Sequence, residues 1–114
     1  MAIVVHRSTM RSVVKKIVYN GRITDIKLQA ELINILMMQV YMPTLEHEDD
    51  KVEELYDITE KILEEDGKRD TNTIIMGDWN SVVGDESYEN IVGPHGLGRK
   101  NYRGQMLINF CERN

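Results

Sequence analysis

The sequence is poor in the residues that cross-link a chain or anchor it in a membrane. Among its 114 residues are one cysteine, two prolines and one tryptophan. A single thiol, Cys111, excludes an intramolecular disulfide and is typical of a reducing, intracellular compartment. No apolar run is long enough to span a bilayer, and the first residues lack the basic flank of a signal peptide. We therefore expect an intracellular protein with no membrane partner.

Positive charge is also in short supply. The chain has 14 basic and 19 acidic residues, which gives a net charge of −5. This balance argues against a surface that holds nucleic acid by bulk electrostatic attraction. It leaves room for a small metal-assisted site, because a divalent cation offsets nearby carboxylates.

Apolar periodicity predicts a single α/β domain. The predicted strands are residues 2–5, 13–19, 22–28, 32–41 and 73–76. Asn20-Gly21 is a strong signal for a tight hairpin between the second and third of these strands. Residues 32–41 are apolar in both phases, which predicts a central strand covered on both faces. Residues 73–76 predict a further buried strand.

A helix is predicted between the last two strands. Apolar residues recur at helical spacing over 48–65, and Gly67 is a typical stop. A strand, a helix and a second strand form a βαβ unit, whose two strands are parallel. The carboxyl ends of residues 32–41 and 73–76 should then lie at one edge of the sheet, where α/β proteins bind ligands.

Two polar side chains follow the last predicted strand. Residues i and i+2 of a strand point to the same side, so Asp78 and Asn80 are expected to reach one pocket. Gly77 allows close backbone approach or an unusual φ angle. A carboxylate beside an amide suits the positioning of a water or a phosphate. The alternative is a strand end followed by an ordinary turn.

Two strand-end motifs occur in order along the chain. Tyr41 and Pro43 end the central strand, and Gly77, Asp78 and Asn80 end the later one. This arrangement resembles the endonuclease/exonuclease/phosphatase family, whose members share a "YxPN/T" strand end and, after a helix, a "GDxN" strand end. The resemblance spans nearly the whole chain.

The C-terminal third strengthens the resemblance. It is similar to the segment that follows "GDxN" in the endonuclease domains of LINE-type retrotransposons. The residues that carry this similarity are Gly93, Pro94, His95, Gly96, Leu97, Gly98, Asn101, Gly104, Leu107, Phe110 and Cys111. The resemblance implies Mg²⁺-dependent hydrolysis of a DNA phosphodiester by a domain of retroelement origin, with DNA as its partner and a nuclear location.

The resemblance also implies roles for the residues that match the motifs. Asp78 would orient the attacking water, Asn80 would hold the scissile phosphate, and Tyr41 would contact the phosphate region. The alternatives are a cap or turn for Asp78 and Asn80, and for Tyr41 a ring in the core with a wet hydroxyl.

Other residues near these strand ends are candidates for substrate binding. Thr44 stands where many members of the family have asparagine, and threonine at this position matches many retroelement-type members. Arg99 and Arg103 could contact a nucleic-acid backbone, although loop charges need no function. Trp79 occupies the variable motif position and is expected to pack.

The family's catalytic set is larger than this chain provides. A glutamate in a "QE" context binds the metal, and a late "SDH" motif completes the site. No Gln-Glu pair and no Ser-Asp-His occurs here. Residues 1–114 are therefore interpreted as a partial domain of the family's four-layer α/β sandwich, weak or inactive alone, which lacks both segments. Mg²⁺ is expected of the family, but its glutamate ligand is absent.

Two other functions stay open. A non-catalytic interaction or remnant fragment would expose an apolar sheet face where the second sheet of the sandwich packs, and could self-associate. A phosphomonoesterase could use the same strand-end motifs, although the retroelement-like tail opposes it.

Some residues are expected to be structural. The acidic run Glu46, Glu48, Asp49 and Asp50 is interpreted as a solvated helix start rather than a metal cluster. Cys111 is expected to be a small core residue.

Overall fold

The structure is an α/β arrangement with one mixed sheet. The computed structural model describes residues 2–44, 48–68 and 70–114, which divide into two compact units, one ending at Asp78 and one comprising Trp79–Asn114. A 3₁₀ turn, Arg7–Ser12, precedes the sheet. The other elements are β1 (Val13–Tyr19), β2 (Ile23–Leu28), β3 (Asn34–Tyr41), α1 (Asp49–Asp66), β4 (Thr71–Asp78) and α2 (Tyr102–Arg113). The predicted α/β class is confirmed.

No helix in the described part of the chain is long and apolar enough to cross a membrane.

The hairpin joining β1 to β2 has the predicted turn. Asn20 and Gly21 both have positive φ, at 48° and 62°, as a type I′ turn requires. The amide of Arg22 donates to the carbonyl of Tyr19 at 2.9 Å and closes the turn. Asparagine and glycine tolerate this backbone conformation better than other residues, so the dipeptide sets the register of the hairpin.

The sheet contains the predicted βαβ unit. Its strand order is β1-β2-β3-β4. The first two pairings are antiparallel, and β3 and β4 are parallel. Helix α1 lies between these parallel strands in sequence, as the switch from strand to helical periodicity predicted.

One face of the sheet forms the core under α1. The helix lies on this face, because Lys15 of β1 pairs with Asp66 at the end of α1 and Tyr19 donates to Glu54. The sheet and the helix bury apolar side chains against each other. These are Ile23, Leu36, Met38 and Val40 from the strands, and Val52, Leu55 and Ile62 from α1.

The opposite face is only partly covered. Strand register places Val18 in one row with Met76, and Ile74 in the next row on the same side. These side chains are 59%, 39% and 51% exposed. The predictions that β3 is covered on both faces and that the strand of residues 73–76 is buried were therefore wrong. Apolar residues occur in both phases, but the described helix of this unit packs on one side only, and β4 is an edge strand.

The first predicted strand is absent. Residues 2–5 are irregular, and Val4 is exposed. His6 caps the following 3₁₀ turn, its Nδ1 accepting from the amide of Ser8 at 3.2 Å. A short aliphatic run has β propensity, but without a pairing partner that preference does not make a strand.

The second unit is organised around Asn101. Its side-chain oxygen accepts from the amide of Gly104 at 2.8 Å, which caps α2, and from the amide of Val82 at 3.0 Å. A Cβ at position 104 would overlap the Val82 carbonyl, so only glycine fits there. These contacts explain physically why this segment needs Asn and Gly three positions apart.

Two side chains of this unit were assigned packing roles from the sequence. Trp79 packs on the ring of Phe110, with the ring centroids 6.1 Å apart, as expected. Cys111 is exposed, so its prediction as a core residue was wrong. Helical spacing placed Cys111 on the apolar side of α2, but Ile108 and Phe110 are the apolar residues of α2 that are buried.

A buried carboxylate lies on the core face of β2. Asp25 is fully buried, and neither of its oxygens has a hydrogen-bond partner among the described residues. The pKa of Asp25 is raised to about 6, chiefly by loss of hydration and also by the nearby Asp66 carboxylate, while Lys15 opposes the shift. The ammonium of Lys15 forms its ion pair with Asp66, at 2.9 Å, rather than with Asp25.

Asp25→Asn should flatten the pH dependence of stability. Between pH 4 and pH 6 the folded protein keeps a proton that the unfolded chain has released, so the free energy of unfolding falls as pH rises. The fall from pH 4 to pH 7 should be smaller in the variant by about 2–3 kcal/mol. Urea unfolding at each pH measures it, and Asp57→Asn, an exposed position of α1, controls for the lost charge. Equal slopes in the wild type and Asp25→Asn would contradict the assignment.

Candidate functional site

Two predicted site residues lie side by side at the edge of the sheet. In the parallel pairing of β3 with β4, Tyr41 is the register partner of Asp78. Paired residues of neighbouring strands point to the same side, and such strands lie about 4.8 Å apart. The prediction that Tyr41 and Asp78 share the same end of the sheet is confirmed.

Gly77 makes this pairing possible. Its φ is 152°, a conformation that L side chains rarely adopt. A Cβ at this position would overlap the backbone carbonyl oxygen of Val40, its register partner. Beyond it, the amide of Met42 donates to the carbonyl of Asp78 at 2.9 Å. Gly77 therefore has both properties expected of it, an unusual φ and close backbone approach.

Arg22 is a site neighbour that the sequence motifs did not reveal. Its guanidinium carbon lies 4.9 Å from the centroid of the Tyr41 ring, within the range of a cation–π interaction. The amide of Tyr41 also donates to the carbonyl of Arg22 at 2.8 Å. The antiparallel pairing of β2 with β3 brings Arg22 here, because Ile23 pairs with Val40 and Arg22 therefore lies beside Tyr41 at the end of β3.

The side chains at this edge are accessible. Tyr41 is 41% exposed, and Asp78 and Thr44 are also exposed. Partial exposure of Tyr41 fits both a contact with ligand and a ring in the core with a wet hydroxyl, so its role stays a prediction. The edge presents a phenol, a carboxylate and a guanidinium, which together can donate to and accept from a polar ligand.

The prediction that strand alternation points Asp78 and Asn80 to the same side was wrong. Strand β4 ends at Asp78, and Asn80 has a φ of 46°, outside the extended region. Asn80 also belongs to the second unit. A common pocket for Asp78 and Asn80 therefore stays a prediction.

The predicted substrate-binding arginines differ in exposure. Arg99 is exposed in the glycine-rich loop of the second unit. Arg103 lies in the first turn of α2 and is only 8% exposed. Burial favours a structural role for Arg103, whereas Arg99 is accessible to an anionic ligand.

The described residues contain no cluster of three or more metal-ligating side chains. Over residues 2–44, 48–68 and 70–114, no three His, Cys, Asp or Glu side chains are close enough to hold a metal ion. Mg²⁺ takes six oxygen ligands, commonly one or two carboxylates with waters and substrate phosphate. Asp78 could supply one of these carboxylates, and Mg²⁺ at this edge of the sheet stays a prediction.

The acidic run before α1 acts as a helix start where it is described. Asp49 and Asp50 lie in the first turn of α1, where negative charge is favoured by the helix dipole. Lys51 donates to Glu48 at 3.3 Å. Glu46 lies outside the described residues.

Comparison with known proteins finds two proteins that are similar to this chain over its whole length. Over all 114 residues, the chain is 32% identical to a protein of Bos taurus and 32% identical to one of Tragulus javanicus. Both are craniofacial development protein 2. The chain spans about a fifth of the length of these relatives, 19% and 20% respectively. No protein-family model matches the chain, and no solved structure matches it.

Gly77→Ala should destabilise the first unit strongly. The added Cβ would meet the Val40 backbone at an unfavourable φ, so β4 must shift away from β3, at a cost of about 2–4 kcal/mol. Chemical denaturation measures this loss. Gly93→Ala is the matched control, because a Cβ there meets nothing within 4 Å, and should change stability by less than about 0.5 kcal/mol. Similar losses for both variants would argue against the close approach.

Proposed function

We propose that the chain is part of a phosphodiester hydrolase domain of the endonuclease/exonuclease/phosphatase type, of retroelement origin, which acts on DNA. The observation that carries the proposal is the pairing of Tyr41 with Asp78 at the carboxyl ends of two parallel strands.

The proposed chemistry assigns one role to each side chain at the edge. The Asp78 carboxylate accepts a hydrogen bond from the attacking water and orients it toward phosphorus. The Tyr41 phenol donates to a phosphate oxygen. Arg22, whose guanidinium lies against the Tyr41 ring, supplies positive charge where the phosphate carries negative charge.

Thr44, in the same unit, would contact the phosphate backbone beside this edge. Asn80 and Arg99 belong to the second unit, and their roles in holding the scissile phosphate and the flanking backbone stay predictions. Mg²⁺ would supply charge neutralisation in a complete domain of this type. The described residues contain no group of three or more His, Cys, Asp or Glu side chains that could hold the ion, so we assign it no ligand set, and the chain alone is expected to be a weak nuclease.

Nicking of supercoiled plasmid tests this function. We expect slow, Mg²⁺-dependent conversion to the open-circular form, which Asp78→Ala abolishes and Tyr41→Phe reduces by about tenfold, the scale of one lost hydrogen bond. Gel densitometry over hours measures the rates.

Asp57→Ala is the matched control for the nicking assay. It removes one carboxylate from an exposed position of α1 and should retain the rate. Nicking that persists in Asp78→Ala, or no metal-dependent nicking by a chain shown to be folded, would count against the hydrolase function. Release of phosphate from p-nitrophenyl phosphate would favour the phosphomonoesterase instead.

A second function, self-association without catalysis, is favoured by one observation. Val18, Ile74 and Met76 stay partly exposed on the same sheet face. An exposed apolar patch on a soluble protein is typical of an interaction surface. We propose that this face packs against the same face of a second copy of the chain, since such a symmetric contact buries the exposed side chains of both copies.

Met76→Lys should weaken this self-association. Sedimentation velocity over a range of protein concentrations should show dimer formation that the variant shifts to concentrations at least tenfold higher, because a desolvated ammonium opposes the contact. Leu32→Lys makes the same change at an exposed residue between β2 and β3 and should leave association unchanged. A wild-type chain that stays monomeric at all concentrations would exclude this function.

A further inference from the structure

The second unit contains an apolar cavity that the proposed hydrolase function does not use. It has a volume of about 380 Å³ and lies between the glycine-rich loop and α2. Every residue that lines it lies between Val83 and Cys111, within one compact unit. Cavities that bind small molecules commonly have volumes of about 300–1,000 Å³.

The lining is mainly aliphatic. Val83, Ile91, Val92, Leu107 and Ile108 contribute apolar side chains. None of the lining residues is an aspartate, glutamate, lysine or arginine. A charged ligand would lose its hydration here without gaining a counter-charge, which is costly. The cavity is therefore suited to a neutral ligand.

The polar groups of the cavity are few and lie at exposed positions. His95 and Cys111 line it and are exposed, whereas Ile108 is buried. The lining thus combines an imidazole and a thiol at exposed positions with aliphatic groups that are half-buried or buried. Such an arrangement accepts an apolar body with one hydrogen-bonding end, because neutral imidazole offers one donor and one acceptor.

Backbone contacts hold the loop in place around the cavity. Gly84 and Gly96 approach so closely that a Cβ at position 96 would overlap the Gly84 carbonyl, and both line the cavity. The loop also has an isolated bridge between Tyr88 and Val92. A cavity whose walls are fixed before binding loses less conformational entropy when a ligand enters.

We propose that this cavity binds a small neutral aromatic or aliphatic molecule, about the size of a fused bicycle, with its polar end at His95. The size follows from volume, since a cavity of about 150 Å³ already holds benzene. None of the residues to which we give a role in the phosphodiester chemistry lines this cavity.

The thiol of Cys111 provides a direct readout of occupancy. It is the chain's single cysteine and lines the cavity. Partial burial raises the pKa of this thiol, so alkylation by iodoacetamide is best followed at mildly alkaline pH. Indole, a neutral bicyclic probe, should slow alkylation of the folded chain at least fivefold when it saturates the cavity.

Variants that fill the cavity locate the binding site. Leu107→Trp should weaken indole binding at least tenfold, and Val92→Phe from the loop wall should do the same if Leu107→Trp proves unfolded by circular dichroism. Leu97→Trp is the matched control, because Leu97 is 88% exposed and does not line the cavity. This control should retain the wild-type affinity and the wild-type protection of Cys111.

The outcomes separate the proposal from its alternatives. Protection of Cys111 by indole that is lost in a filled variant and kept in Leu97→Trp supports the cavity. An alkylation rate unchanged by millimolar indole overturns it. Protection that persists in both filled variants also overturns it, because indole would then bind at another surface.

Discussion

The parallel pairing of β3 with β4 is the constraint on which the candidate site depends. It aligns the carboxyl ends of the two strands, so that Tyr41 and Asp78 become neighbours although α1 separates them in sequence. The pairing in turn depends on Gly77, because any larger residue would collide with the Val40 carbonyl. The absence of a side chain at Gly77 therefore allows Tyr41 and Asp78 to lie side by side.

The two faces of the sheet differ in how completely their side chains are covered. The face under α1 is so well covered that it buries even the carboxylate of Asp25, which has no hydrogen-bond partner among the described residues. The other face has Tyr41 and Asp78 at its edge and leaves Val18 and Ile74 partly exposed. A polar edge beside an apolar surface can serve chemistry, association or both, and the two proposals use different residues.

Local signals predicted most of the fold. Asn20-Gly21 and the helical spacing before Gly67 each act over a few residues, so the sequence reveals them directly. Burial could not be predicted in the same way. The exposure of Ile74 and the irregular residues 2–5 depend on whether another element covers or pairs with them. Arg22 near Tyr41 and the cavity beside Cys111 also arise from tertiary contacts.

The connections between strands have a consequence for the order of folding. A tight turn joins β1 to β2 and a short loop joins β2 to β3, so these three strands form a local antiparallel meander. β4 joins only after a long stretch of chain, including α1, has been looped back, and closing that loop costs entropy. We therefore expect the meander to assemble first and the strand that carries Asp78 to join last.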